Sequence, residues 1–151
     1  MDLAGKDLLW LEHILDSNRK RDEILKQVCE YLANENAHFD WVGFYIAHSS
    51  VKELDLGPFV GAPTEHVRIP FGRGVCGRAA ESLTTIVVRD VSGEANYLAC
   101  SLDVKSEIVV PVFNNGRFVA ELDIDSHKKY AFTDLDRQYL EAICRKIGGL
   151  F

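Results

Sequence analysis

No stretch of this chain approaches the ~20 consecutive apolar residues of a membrane-spanning helix. Its first residues, Met1-Asp2-Leu3-Ala4-Gly5-Lys6-Asp7, lack the basic and apolar regions of a secretory signal. A cytoplasmic protein with no membrane partner is therefore expected. Basic residues are also scarce, with 17 Lys and Arg against 23 Asp and Glu and a net charge of −6. Phosphate backbones are bound by clustered cations that release counterions, so nucleic acid is not an expected partner. The densest basic run, Arg19-Lys20-Arg21, is followed at once by Asp22 and Glu23 and reads as a solvated helix face. Neither Cys-x-x-Cys nor His-x-His spacing occurs, so no metal and no cofactor are expected. The phosphate-loop lysine, internal repeats, low-complexity tracts and linkers are absent as well.

What is present suits one domain. A chain of 151 residues can bury roughly two-thirds of its unfolded surface, enough for a core without disulfide staples. Apolar residues recur at helical spacing over residues 8–15 (Leu8, Leu11, Ile14, Leu15), and Asp16-Ser17-Asn18 stops the pattern. A second helix is predicted over residues 19–33, with Ile24, Leu25, Val28, Cys29 and Leu32 on its buried stripe. A C-terminal helix is predicted after Thr133 as N-cap, with Asp134 and Asp136 in its first turn. Its stripe is Leu135, Tyr139, Ile143, Ile147 and Leu150, which Cys144 adjoins.

Between the helices the period changes to two. Residues 41–46 and 51–60, rich in aromatic and β-branched side chains, read as a hairpin across His48-Ser49-Ser50. Strands are predicted over 84–88, 107–113 and 118–125, the last two joined by Asn114-Asn115-Gly116. A short helix over 75–82 opens from a glycine-rich turn. The expectation is an α+β fold, a mainly antiparallel central sheet with N- and C-terminal helices packed on one face and functional loops on the other. The segments are 1–34 for the N-terminal helices, 41–126 for the sheet and loops, and 133–151 for the C-terminal helix.

Four cysteines in a reducing compartment are more often free or catalytic thiols than disulfides. Cys29 and Cys144 lie on or beside helical stripes and read as packing. Cys76, in Gly72-Arg73-Gly74-Val75-Cys76-Gly77, and Cys100, in Tyr97-Leu98-Ala99-Cys100-Ser101, do not. Cys76 serves either as a small residue at a helix start or as a reactive thiol, whose pKa a helix N-terminus tends to lower. Downstream, Asp123 and Asp125 share one strand face about 7 Å apart, with Leu122 and Ile124 on the other. Glu107 opens the preceding strand. Either these three carboxylates lie on a solvated face, or they converge, in which case repulsion and burial raise at least one pKa and keep a protonated acid near neutral pH.

In these residues the chain resembles the free methionine-(R)-sulfoxide reductases, single GAF-domain enzymes. The resemblance is carried from Trp41 onward by Trp41-Val42-Gly43-Phe44-Tyr45, Leu56-Gly57-Pro58-Phe59, Val67-Arg68-Ile69-Pro70-Phe71-Gly72-Arg73-Gly74-Val75-Cys76-Gly77, Ala99-Cys100, Ser106-Glu107-Ile108-Val109-Val110-Pro111 and Leu122-Asp123-Ile124-Asp125-Ser126. It implies a GAF-like domain, with Cys100 attacking the sulfoxide sulfur and Glu107, Asp123 and Asp125 lining the substrate site. Trp41 and Tyr45 would enclose the methyl-sulfur end, Cys76 would resolve the oxidised Cys100, and a thioredoxin-like reductant would close the cycle. A homodimer is compatible with such a family. The member is divergent: His66 stands where the family usually carries a third cysteine, and Ala120-Glu121 where Gly-Val is common. His66 is either exposed or a neighbour of the reactive thiol. The alternatives are a non-catalytic GAF domain that binds a small ligand and a redox sensor built on Cys76 and Cys100.

Overall fold

The structure, a computed structural model, describes residues 7–94, 97 and 103–151. Cys100 lies outside the described residues. Two helices come first, α1 at Leu9–Leu15 and α2 at Arg21–Glu35. Then β1 at Trp41–His48 and β2 at Glu53–Val60 form the predicted antiparallel hairpin. A short strand, β3 at Arg68–Pro70, precedes α3 at Gly74–Ser82 and β4 at Ile86–Val88. The chain ends with β5 at Ser106–Asn114, β6 at Arg117–Ser126 and α4 at Asp134–Ile147. Among the described residues, no helix is long and apolar enough to cross a membrane.

The six strands make one sheet in the order β3-β2-β1-β6-β5-β4, antiparallel throughout. Helices α2 and α4 cover one face. Their stripes (Ile24, Leu25, Val28, Leu32; Leu140, Ile143, Ile147) meet Phe44, Ile108, Val110, Leu122 and Ile124 in the larger apolar core. Cys29 and Cys144 are buried there, as their positions predict, and burial raises both thiol pKa values far above the usual range. On the opposite face α3 packs over β5 and β6. That face forms a second core from Trp41, Tyr45, Ile69, Val75, Cys76, Ala79 and Val109. The central strands are consequently buried on both sides.

Local chemistry explains most boundaries. At α4 the Asp136 N–H donates to Thr133 Oγ1 (3.1 Å) while the Thr133 N–H donates to Asp136 Oδ2 (2.8 Å), a reciprocal cap. The β5–β6 turn has positive φ at Asn115 (52°) and Gly116 (77°), the pair a two-residue hairpin turn of matching twist requires.

Some expectations need correction. Val51 lies in the turn before β2 rather than in the strand, and it is 54 % exposed. Leu135 is 49 % exposed, and Leu140 and Cys144 occupy the buried face instead. The apolar stripe starts only after the first helical turn, where the cap holds the chain at the surface. β3 was not predicted. Three residues including a proline carry no periodic signal, and the proline is tolerated because Arg68–Pro70 is an edge strand paired to β2 alone.

Candidate functional site

Register decides which side chains meet. β1 and β5 flank β6, so three rows of neighbours cross the face under α3: Trp41, Asp125 and Glu107; Gly43, Asp123 and Val109; Tyr45, Glu121 and Pro111. The period of two therefore places Glu121, Asp123 and Asp125 side by side, with Glu107 across from Asp125. This face is covered. Glu107, Asp123 and Asp125 are 3, 2 and 2 % exposed, and Glu121 is fully buried. The converging alternative holds for the three carboxylates, and Glu121 makes a fourth.

Cys76 sits in the first turn of α3, directly above this row, with its Sγ 4.0 Å from Glu107 Oε2. One ligand atom from each of Cys76, Glu107 and Asp123 lies within 4.8 Å of the other two. Burial and the charges of Asp123, Glu121, Glu107 and Asp125 raise the Cys76 pKa well above the usual thiol value. The expected lowering at the helix N-terminus is thus overturned, because loss of water and four nearby carboxyls outweigh a half-charge dipole.

Burial, with the neighbouring charges of Asp123 and Asp125, likewise pushes Glu107 well above the ordinary carboxyl range. Burial raises Asp123 too, but hydrogen bonds from Glu107 and Cys76 oppose the shift. Of this neighbouring pair, Glu107 is the carboxyl pushed well above the ordinary range, so its surroundings favour the protonated form more strongly. Burial and the Asp123 charge also raise Glu121, with the Cys76 thiol working the other way. Even so, neither Glu121 oxygen meets a partner in hydrogen-bonding geometry. Glu107, Glu121 and Asp123 form no ion pair among the described residues.

Aromatic side chains wall one side. Trp41 stacks on Phe59 (centroids 5.3 Å apart) and on Tyr45 (6.3 Å), and its Nε1 donates to the Ala62 carbonyl at 3.0 Å. Gly43 is what lets the indole lie across the sheet, since a Cβ there would stand 2.4 Å from the ring. The Tyr45 hydroxyl donates to the His66 carbonyl at 3.0 Å and so ties down the loop that carries this histidine. His66, Tyr45, Arg73, Cys76, Glu107 and Asp123 share the wall of a cavity of about 10 Å³. His66 is half-buried there, a neighbour of the thiol rather than a freely exposed side chain. A surface concavity of about 710 Å³ between α2 and β2 is an open groove that holds none of the buried acids.

Six of the sequence-predicted residues, Trp41, Tyr45, Cys76, Glu107, Asp123 and Asp125, therefore converge, and His66 borders them. Glu121 was missed although the alternation that singled out Asp123 and Asp125 reaches it one step earlier. Glu94 accepts from the Arg78 guanidinium of α3 at 2.6 Å, and Tyr97 packs on the core that contains Cys76.

Residues 20–150 match the GAF domain family. Over 115 residues the chain is 42 % identical to GAF domain-containing protein A of Dictyostelium discoideum, covering 76 % of this chain and 72 % of that protein. It is 39 % identical over 111 residues to the free methionine-R-sulfoxide reductase of Saccharomyces cerevisiae, covering 72 % of this chain but only 61 % of the yeast protein. Among solved structures, the free methionine-R-sulfoxide reductase of Neisseria meningitidis in complex with its substrate is similar, at 37 % identity and a TM-score of 0.86. That match covers 93 % of this chain and 83 % of the other. By these matches the chain belongs to the GAF-domain family and, within it, to the free methionine-R-sulfoxide reductases.

Proposed function

We propose that this protein reduces free methionine-(R)-sulfoxide to methionine, with Cys100 as nucleophile and Cys76 as resolving thiol. The observation that carries the reading is the buried acidic row. Glu121 and Asp123 are buried with no ion pair among the described residues, so the site favours a ligand that brings its own cation, as the ammonium group of a free amino acid does. A peptide-bound methionine has no such group.

In the proposed reaction the Cys100 thiolate attacks the sulfoxide sulfur, and the sulfoxide oxygen takes a proton. Glu107, whose surroundings keep it protonated, is the proposed donor. Methionine leaves and Cys100 becomes a sulfenic acid. Cys76 then condenses with it, releasing water and forming a disulfide. A dithiol of the thioredoxin type returns both cysteines to thiols and is itself oxidised. Trp41 and Tyr45 supply an apolar wall for the methyl-sulfur end. A cavity of about 10 Å³ holds nothing larger than a water-sized occupant, so substrate binding requires the site to open. Such a cycle suits a reducing compartment, and the cytoplasm is the proposed location.

The test follows NADPH consumption with free methionine-(R)-sulfoxide, thioredoxin and thioredoxin reductase. Wild type is expected to turn over, and Cys100→Ser is expected to be inactive. Cys76→Ser is expected to keep activity with a small dithiol and lose it with thioredoxin. No substrate-dependent turnover by the wild type with either reductant would sink the proposal. Methionine sulfoxide binding without turnover would favour the non-catalytic alternative.

A further inference from the structure

We infer that Cys76, Glu107 and Asp123, with Glu121 behind them, form a binding site for a divalent transition-metal ion of the zinc class. The inference goes beyond the reductase reading and does not depend on it, because it rests on donor geometry and on buried oxygens without a partner. The sequence shows no zinc spacing, yet the fold brings one thiol and two carboxylates within 4.8 Å of one another. A tetrahedral ion with bonds of about 2.0 to 2.3 Å sets its ligands roughly 3.5 Å apart, so a contraction of about 1 Å completes three positions.

A second observation points the same way. Glu121 is fully buried with neither oxygen partnered, and Glu107 Oε1 and Asp123 Oδ1 are also buried without a hydrogen bond. Four buried oxygens thus face no protein donor in hydrogen-bonding geometry, an arrangement that a bound cation stabilises. The cavity against Cys76, Glu107 and Asp123, about 10 Å³, admits one ion without the opening that an amino acid requires.

The donor set discriminates among ions. Calcium and magnesium require six or more oxygen donors, whereas a thiolate with carboxylates suits zinc or cobalt. His66 lines the same cavity and has the imidazole that such ions accept as a further ligand. An ion held here occupies the proposed substrate-ammonium site, so metal and substrate exclude one another.

The experiment uses the full chain, reduced and freed of metal, with no turnover involved. Adding Co2+ is expected to give one-to-one saturable binding, tetrahedral d–d bands and thiolate-to-cobalt charge-transfer absorption, and stoichiometric Zn2+ is expected to displace the cobalt. The charge-transfer absorption is expected to vanish in Cys76→Ser and to persist in Cys29→Ser and Cys144→Ser. By calorimetry, isosteric Glu107→Gln is expected to weaken Zn2+ binding by at least about tenfold, the loss that even outer-shell partners of a metal produce. Absence of saturable binding overturns the inference. So does a charge-transfer band that survives Cys76→Ser, or one that depends on Cys100 alone. Should Cys76→Ser fail to fold, the calorimetry decides, and unchanged affinity in folded Glu107→Gln overturns the site.

Discussion

At the scale of single residues, Glu121 is the least well stabilised member of the acidic row. Burying a polar group without a partner costs about 1 to 3 kcal/mol, and Glu121 meets that description at both oxygens. Glu121→Leu, which roughly keeps the volume and removes the carboxyl, is expected to raise unfolding stability by about that amount, measured by urea denaturation at neutral pH. An unchanged or lower midpoint would show that the carboxyl is satisfied by something other than a ligand. Gly43 carries the opposite sign. A methyl group at this position would meet the Trp41 ring and the Phe59 Cβ at 2.4 and 2.7 Å. Gly43→Ala is therefore expected to cost about 1 to 3 kcal/mol, as overpacking does. Loss of the Trp41 fluorescence environment would accompany that cost.

At the scale of elements, α4 shows how a cap and a stripe divide the work. Its first turn is held by the exchange between Thr133 and Asp136, and its grip on the sheet begins at Tyr139. Leu140→Ala is expected to cost about 2 to 5 kcal/mol, because the cavity it leaves lies in a packed core. Leu135→Ala, at an exposed position, is expected to stay within about 0.5 kcal/mol. Equal effects at the two leucines, read from chemical denaturation, would contradict the observed helix orientation. The short helix α3 has a different task. Its glycine-rich opening, with Gly77 so close to the Pro70 carbonyl that a Cβ would stand 2.7 Å away, brings the first turn down onto β5 and β6. That descent places Cys76 against four carboxyls and raises its pKa, where an exposed helix N-terminus would lower it.

At the scale of the molecule, one sheet serves two cores. Trp10 of α1 stacks on Tyr31 beside the larger core, and Trp41 belongs to the smaller one on the other face. The two cores share β1, β5 and β6, so neither can melt without exposing the strands that support the other. Thermal unfolding followed by fluorescence in Trp10→Phe and in Trp41→Phe is expected to trace coincident two-state transitions once each variant's own midpoint shift is removed. A separate, earlier transition in the variant that retains only Trp41 would show that the α3 face opens independently. That result would bear on how the site admits a substrate.

Much of this was legible in the linear chain because it depends on short-range chemistry. The helical stripes of α2, the cap of α4, the Asn115-Gly116 turn and the alternation of Asp123 and Asp125 are all written in neighbouring residues. The motifs around Cys76, Glu107 and Asp123 also suffice to identify the family. Sequence alone left open whether the acidic face is solvated or covered, and whether Cys76 is a small packed residue or a thiol lowered by its helix N-terminus. Those outcomes depend on strand register and on the descent of α3, which bring Cys76, Glu107, Glu121 and Asp123 together from three separate segments. Burial and like charge then act on all four at once, and no local pattern records the dielectric or the neighbours that another part of the chain will supply.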